Sequence, residues 1–239
     1  SACPSVPGDT DIDISAMVPM QVFKLVQHGS SFSRVRTLLI GGSELSPGLE
    51  SRLKKIPATV YETFGMAETC SHVALRKING PHATPWFETI PDVEIGADSR
   101  SCLVIRASYL PEEVITNDVV DILGKNRFLW RGRADNLINS GGIKICPEQL
   151  EKALVEILGL EAYVVGVPDI ILGRKPVMMV TRPCSPGEKT SMLHALREKL
   201  PPYHLPSAIL VIPSFPRHRS LKVDRTKLLA MALTLLRKP

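Results

Sequence analysis

The feature that most constrains this 239-residue chain is a strand–helix–strand run with very short joints between Val35 and Thr63. Val35–Ile40 reads as a buried strand, ended by Gly41-Gly42. Ser46-Pro47 pairs an N-cap residue with a first-turn proline, and Leu49, Leu53 and Ile56 give the following helix one apolar face. Ala58–Thr63 is a second strand that runs into Phe64-Gly65. Strands joined in this way form a parallel pair. Ligands of such sheets gather beyond the carboxyl ends of the strands, and Gly41-Gly42 and Phe64-Gly65 sit at two such ends.

Before this run, Asp11–Val18 reads as extended, and Pro19 opens a helix with Val22, Leu25 and Val26 on one face. After it the pattern turns to short strands at Val93–Ile95, Leu103–Arg106, Glu113–Ile115, Val119–Leu123 and Phe128–Arg131, a small antiparallel sheet or barrel. Asn139–Ile145 is a Gly-containing turn region, and Pro147 opens a helix with Leu150, Ala153, Leu154, Ile157 and Leu158 on one face. Ala162–Val167, Val177–Thr181 and Ala208–Ile212 read as strands, and Ser191–Leu200 and Arg225–Leu236 as helices. The expected fold is therefore α/β plus α+β: a parallel layer over residues 1–90, a β-rich, barrel-like region over 91–134, and a compact α+β domain over 135–239.

Composition narrows the function classes. No stretch approaches the roughly eighteen apolar residues of a membrane span, and Ser1-Ala2-Cys3-Pro4 begins no signal peptide. Five scattered cysteines without a Cys-x-x-Cys pair argue against a disulfide framework or zinc site, and point to a reducing, cytoplasmic setting. The net charge of +5 is concentrated after Arg217, where Asp224 is the one acid among seven basic residues. Such a tail attracts polyanions (nucleotides, CoA or nucleic acid) or is simply a solvated helix end. It has no interleaved aromatics, which disfavours nucleic acid.

Four strings carry candidate chemistry. In Tyr61–Thr69 a strand stops at Phe64-Gly65-Met66, and a carboxylate, Glu68, follows. An aromatic beside Gly can stack on a purine, and a carboxylate can hold a Mg²⁺ that bridges phosphates; a turn with a solvent-facing Glu is the plainer reading. In Thr116-Asn117-Asp118 the Asp can accept both ribose hydroxyls, or the pair can form a turn. The long string Gly132–Glu151 contains Gly141-Gly142, suited to close approach to a ligand or to a tight hairpin. In Pro216–Arg225, Lys222 is a point charge on a loop ahead of a helix.

In this order and spacing the strings resemble the adenylate-forming superfamily of acyl-CoA synthetases, luciferases and peptide-synthetase adenylation domains, over essentially the whole chain. Phe64–Thr69 matches the aromatic-Gly-x-Thr-Glu motif, Asp118 the ribose-binding Asp, and Arg133 with Asp135 the Gly-Arg-x-Asp segment. Ser220-Leu221-Lys222 matches the late Ser-Gly-Lys motif. A narrower resemblance, in Phe64–Lys77, Leu103–Thr116 and Asn136–Glu151, is to o-succinylbenzoate–CoA ligases of menaquinone biosynthesis.

The resemblance implies an ATP-dependent acid–thiol ligase that forms an acyl-adenylate and then an acyl-CoA, with ATP, Mg²⁺, CoA and a small carboxylate as its ligands. Lys222 is then the adenylation lysine and Glu68 the catalytic and metal-binding carboxylate. Gly41, Gly42, Ser43, Phe64, Gly65, Met66, Asp118 and Arg133 contact nucleotide. Asp135 is the hinge of a mobile carboxyl-terminal domain, and Gly141, Gly142 and Lys144 face CoA. Ser71, His72 and Arg76 are candidates for the carboxylate that does not react, or ordinary strand residues. No nucleic acid or membrane insertion is implied, and a homodimer is compatible with the sequence.

Three departures stand out. The superfamily's early phosphate loop is nowhere in the sequence, Ala67 replaces Thr, and Leu221 replaces Gly. The first leaves a second reading open, a catalytically incomplete fragment that binds nucleotide or a partner. Other acyl-CoA ligases and adenylation domains are the alternatives among enzymes; no Ser-bearing carrier signature supports an assembly-line enzyme.

Overall fold

The computed structural model describes residues 10–218 and 222–237. The chain divides into two compact units, Ser1–Trp130 and Arg131–Pro239. The dividing point falls within a strand, a few residues ahead of Asp135.

The first unit opens with β1 (Ile12–Met17), α1 (Pro19–Gln27), β2 (Val35–Ile40), α2 (Pro47–Leu53) and β3 (Thr59–Gly65). β1 pairs β2 and β2 pairs β3, both in parallel. Val22 and Leu25 of α1, Leu49 and Leu53 of α2, and Leu38, Ile40 and Val60 of the strands form one core cluster. The helix starts follow their sequence signals. Pro19 takes the first turn of α1, and the Ser46 hydroxyl accepts from the Leu49 N–H at the start of α2. α2 ends at Leu53, so Ile56 packs on this core from the turn beyond the helix.

The sheet then becomes antiparallel through β4 (His72–Lys77), β5 (Phe87–Thr89), β6 (Val93–Ala97), β7 (Cys102–Ala107), β8 (Val114–Gly124) and β9 (Arg127–Arg133). All nine strands belong to one sheet, ordered β1-β2-β3-β4-β5-β9-β8-β7-β6. Buried residues from β4 through β9 meet in one cluster that includes Val73, Phe87, Val93, Leu103, Val120 and Phe128, so this region curls around its own core. The expected strands Glu113–Ile115 and Val119–Leu123 are one strand, β8. Thr116-Asn117-Asp118 is not a turn between them. It is an irregularity within the strand, where the register slips between the Cys102↔Val119 and Val104↔Ile115 pairs.

The second unit contains β10 (Ile138–Ser140), β11 (Ile143–Ile145), α3 (Pro147–Leu158), β12 (Ala162–Asp169), β13 (Gly173–Val180), α4 (Pro186–Arg197), β14 (Ile209–Val211) and α5 (Arg225–Leu236). The strand order is β11-β10-β13-β12, with β14 parallel to β13, so β12 is an edge. Alternate residues of β12 and β13 enter different cores. Val164, Met178 and Val180 pack with Leu150 and Leu154 of α3 and Leu196 of α4. Val165, Val177 and Met179 pack with Leu228 and Ala232 of α5. Helix α4 starts at Pro186, earlier than the expected Ser191, because Ser185 and Glu188 form a reciprocal capping box.

The four described cysteines are free thiols. No helix among the described residues is long and apolar enough to cross a membrane.

Candidate active site

Parallel pairing sets Gly41 and Phe64-Gly65 at the same ends of adjacent strands, since Ile40 lies opposite Glu62. A Cβ on Gly41 would run into the Thr63 hydroxyl, and one on Gly65 would overlap the Ser71 carbonyl and the His72 Cα. Glycine at 65 therefore lets β3 and β4 close up where their register shifts. Between these strands, Ala67–Thr69 makes one 3-10 turn. Thr69, fully buried, holds it: its hydroxyl accepts from the Met66 N–H (3.1 Å) and donates to the Ser71 carbonyl (2.7 Å). Glu68 is thereby left exposed on the outside of the turn.

Phe64 is half-buried and meets Phe87 and Phe128 edge-to-face, at centroid distances of 5.6 and 5.1 Å. These contacts fix its ring. Ser71 and His72 lie side by side, with Oγ and Nδ1 3.3 Å apart.

Arg76 is a correction to the sequence reading. Its side chain is only 12% exposed, and it donates to Glu62 through Nε (2.8 Å) and to Glu50 through Nη2 (2.9 Å). Glu62 also accepts from the Leu45 N–H. Burial disfavours the charge on Arg76, but the two carboxylates outweigh it and raise its pKa. Burial likewise opposes ionisation of Glu50, yet Arg76 and Lys54 hold its pKa below the usual range. A guanidinium held this way pins α2 to β3 and β4 and is scaffold, not pocket lining.

Asp118 is buried within the irregular stretch of β8. Its Oδ1 accepts from the Trp130 indole N–H at 2.8 Å, and its own N–H donates to the Thr116 hydroxyl. Arg100 clamps the same stretch from outside by donating to the Asn117 side chain and the Thr116 carbonyl. Arg100 is in turn paired with Asp98, whose pKa is lowered foremost by the Cys102 N–H, against burial, and then by Arg100 itself. Sequence reading missed Trp130 and Arg100. The available signal was a tryptophan on a half-buried strand, whose N–H needs a partner.

In the second unit, Arg133 and Asp135 form an exposed ion pair at 2.7 Å. Such a pair is worth about 1 kcal/mol or less, so it does not lock this segment. Gly132 is required just before it: a Cβ there would overlap the Cys146 sulfur and the Glu148 carboxylate. Gly141 and Gly142, at φ 60° and 87°, make the tight turn between β10 and β11, a conformation that disfavours side chains. Asn139 Oδ1 accepts from the Gly142 N–H, and the Leu172 carbonyl from the Gly141 N–H. Lys144 is exposed on β11.

Lys222 is exposed at the base of a loop closed by the His218 N–H donating to its carbonyl (2.9 Å) and by an Arg217↔Val223 bridge. Ser220 and Leu221 of the same motif lie outside the described residues.

Known proteins resemble this chain in sequence and in fold. Residues 149–222 match the AMP-binding enzyme C-terminal domain family. An acyl-CoA synthetase (AMP-forming)/AMP-acid ligase II-like protein from Dyadobacter fermentans is 31% identical, with a TM-score of 0.54 over 95% of this chain and 67% of its own. A 2-succinylbenzoate–CoA ligase from Bacillus cytotoxicus is 30% identical over 92% of this chain and 52% of its own length. The Bacillus subtilis o-succinylbenzoate CoA synthetase, solved with its acyl-adenylate intermediate, shares the fold at TM-score 0.70 and 20% identity, over 90% of this chain and 50% of its own. The chain spans about half the length of the curated relatives it matches. It belongs to the family of AMP-forming acyl-CoA synthetases.

Proposed function

We propose that this chain supplies the nucleotide- and CoA-handling parts of an ATP-dependent carboxylate–CoA ligase, with 2-succinylbenzoate as its acyl substrate. The observation that carries the reading is the convergence of Gly41 and Phe64-Gly65 at the same ends of adjacent parallel strands, with Glu68 exposed on the next turn. Backbone that no side chain could share, beside a fixed aromatic ring, suits a purine. The substrate assignment is supported by the several 2-succinylbenzoate–CoA ligases at 28–30% identity.

In this reading Phe64 stacks on adenine beside Gly41-Gly42-Ser43 and Met66, and Asp118 and Arg133 take the ribose. Lys222 balances charge between the attacking carboxylate and the α-phosphate, where positioning and electrostatics dominate catalysis. No group of three or more His, Cys, Asp and Glu able to hold a metal occurs among the described residues. Glu68, exposed on its turn, is the residue that would hold a Mg²⁺. That ion neutralises phosphate charge when bound. Asp135 is the pivot by which the Lys222 domain turns, and the Gly141-Gly142 turn with Lys144 then meets CoA.

The reading is tested by calorimetric titration of AMP and by pyrophosphate exchange dependent on 2-succinylbenzoate. Failure to retain AMP removes it. AMP binding without exchange favours the second reading, a part that binds nucleotide without turnover.

Two variants probe individual roles. Trp130→Phe keeps an aromatic side chain and removes the donor to Asp118. The expected loss is about 1 kcal/mol, or roughly fivefold in AMP affinity, and it should vanish in an Asp118→Ala background, which has no acceptor for the indole N–H. A Cβ on Gly142 would point into open space, with nothing within 4 Å. The φ of 87° strains any side chain there, so Gly142→Trp should fold with stability lowered by about 1–3 kcal/mol, leave pyrophosphate exchange intact, and slow thioester formation by about tenfold or more, as expected of a misfit of an ångström or so. Equal loss in both half-reactions would remove the CoA role of this turn.

A further inference from the structure

Arg225, the first residue of α5, stands three positions after Lys222 and has no role in the mechanism above. Its guanidinium donates through Nη1 and Nη2 to the two carboxylate oxygens of Glu151 on α3, both at 2.8 Å. Nη1 also reaches the Val164 carbonyl at 3.3 Å, while Glu151 Oε1 accepts from the Val164 N–H at 2.8 Å. Val164 lies on the edge strand β12, and this ion pair satisfies its outward N–H and C=O together. α3 and α5 pack on different cores of the sheet. The Arg225–Glu151 pair therefore joins them around the sheet's edge.

The connection continues in both directions. Arg225 Nη2 lies 3.4 Å from Glu148 Oε1, and the same carboxylate accepts from the Asn136 side chain, one residue past Asp135. On the other side, Asp224 caps α5 by accepting from the Lys227 N–H (3.0 Å), and its own N–H donates to the Pro216 carbonyl (2.8 Å). Pro216–Asp224 is the stem of the loop that carries Lys222. Polar contacts on both sides of the Asp224–Arg225 peptide bond link the residue beside Asp135 to the base of the lysine loop.

We infer that Arg225 is a positioning residue for Lys222: with Glu151 and Glu148 it fastens the lysine loop to the segment around Asp135, so that the two turn as one body. The inference rests on the reading of Lys222 as the adenylation lysine. A forked guanidinium suits the task, because a lysine at 225 would supply charge without holding both Glu151 oxygens in one plane.

The test is amide hydrogen exchange at His218 and Asp224 in the intact chain, comparing wild type with Arg225→Lys, Arg225→Met and the double variant Arg225→Met/Glu151→Gln. The double variant guards against unfolding, since Arg225→Met alone strands buried carboxylates. Expected is at least tenfold faster exchange at both amides in the Met variants, an intermediate rate for Arg225→Lys, and no change at Met178 in β13. Wild-type protection at both amides in a folded double variant overturns the inference. Pyrophosphate exchange adds a second readout: a lower kcat with unchanged KM for ATP supports positioning, and a raised KM means that Arg225 touches nucleotide and overturns it. If the wild-type chain shows no 2-succinylbenzoate-dependent pyrophosphate exchange, the ligase reading fails, and if Lys222→Ala leaves that exchange intact, only the role of Lys222 fails; in either case the amide rates still decide whether Arg225 holds the loop.

Discussion

Lys222→Ala is expected to lower 2-succinylbenzoate-dependent pyrophosphate exchange by a factor of about 10² to 10³, the usual cost of removing one preorganised donor from a developing oxyanion. Thermal stability should not change, because the Lys222 side chain is exposed and forms no ion pair among the described residues. Its carbonyl, not its ammonium, closes the loop with His218, and alanine keeps that bond. Lys222→Arg should restore only part of the rate, since a planar fork cannot replace a compact ammonium between two oxyanions. Measurement of the exchange rate at saturating ATP and carboxylate decides the matter. A Lys222→Ala rate within threefold of wild type would leave the tail loop without a role in adenylation.

The readable parts of this fold are those with local signals. β2 was expected at Val35–Ile40 and α5 at Arg225–Leu236, and both stand at those bounds. The Gly-Gly stop after β2, the Ser46-Pro47 start of α2 and the Pro147 start of α3 are chemistry that a sequence displays directly. The parallel pairing of β2 and β3 followed from their short connection, and that pairing alone brings Gly41 level with the end of β3. The missed elements have physical reasons too. Asn117-Asp118 has turn chemistry, but Arg100 and the Thr116 hydroxyl hold it inside β8. The Ser185–Glu188 capping box starts α4 two turns ahead of its apolar face, which begins only at Met192 and is the stronger sequence signal.

Partners far apart in sequence were not legible at all. Arg76 reads as a cation available to a ligand until Glu50 and Glu62, from α2 and β3, are found on it. Asp118 and Trp130, or Glu151 and Arg225, meet only because the sheets bring them together. Spacing of residue types predicts which chemistry a chain can carry. It does not predict which charges the fold has already neutralised.

The Glu151–Arg225 pair gives the other large prediction, a stability that falls as pH rises from mild acid to neutrality. Burial is the dominant influence on Glu151 and lifts its pKa to about 7; Arg225 and the Val164 N–H oppose this, and Glu148 adds to it. Tyr163 on β12 also feels Glu151, together with Glu161 and Arg217. In the unfolded chain Glu151 titrates near the ordinary value of about 4.3. Between about pH 5 and 7 the folded state therefore binds the extra proton, so stability declines with rising pH. The decline is complete once Glu151 is ionised in both states. The carboxylates held below their usual range, Glu50, Asp98, Asp169, Glu188 and Asp224, act in the opposite sense, their stability being lost only as the solution becomes more acid than this window. Both tryptophans, Trp86 and Trp130, lie in the first unit. Amide exchange of Met178 and Ile212 in urea, at pH 5 through 8, follows the correct unit. Glu151→Gln keeps an acceptor for the Val164 N–H and should flatten the profile, whereas an equally steep profile in that variant would place the titrating group elsewhere.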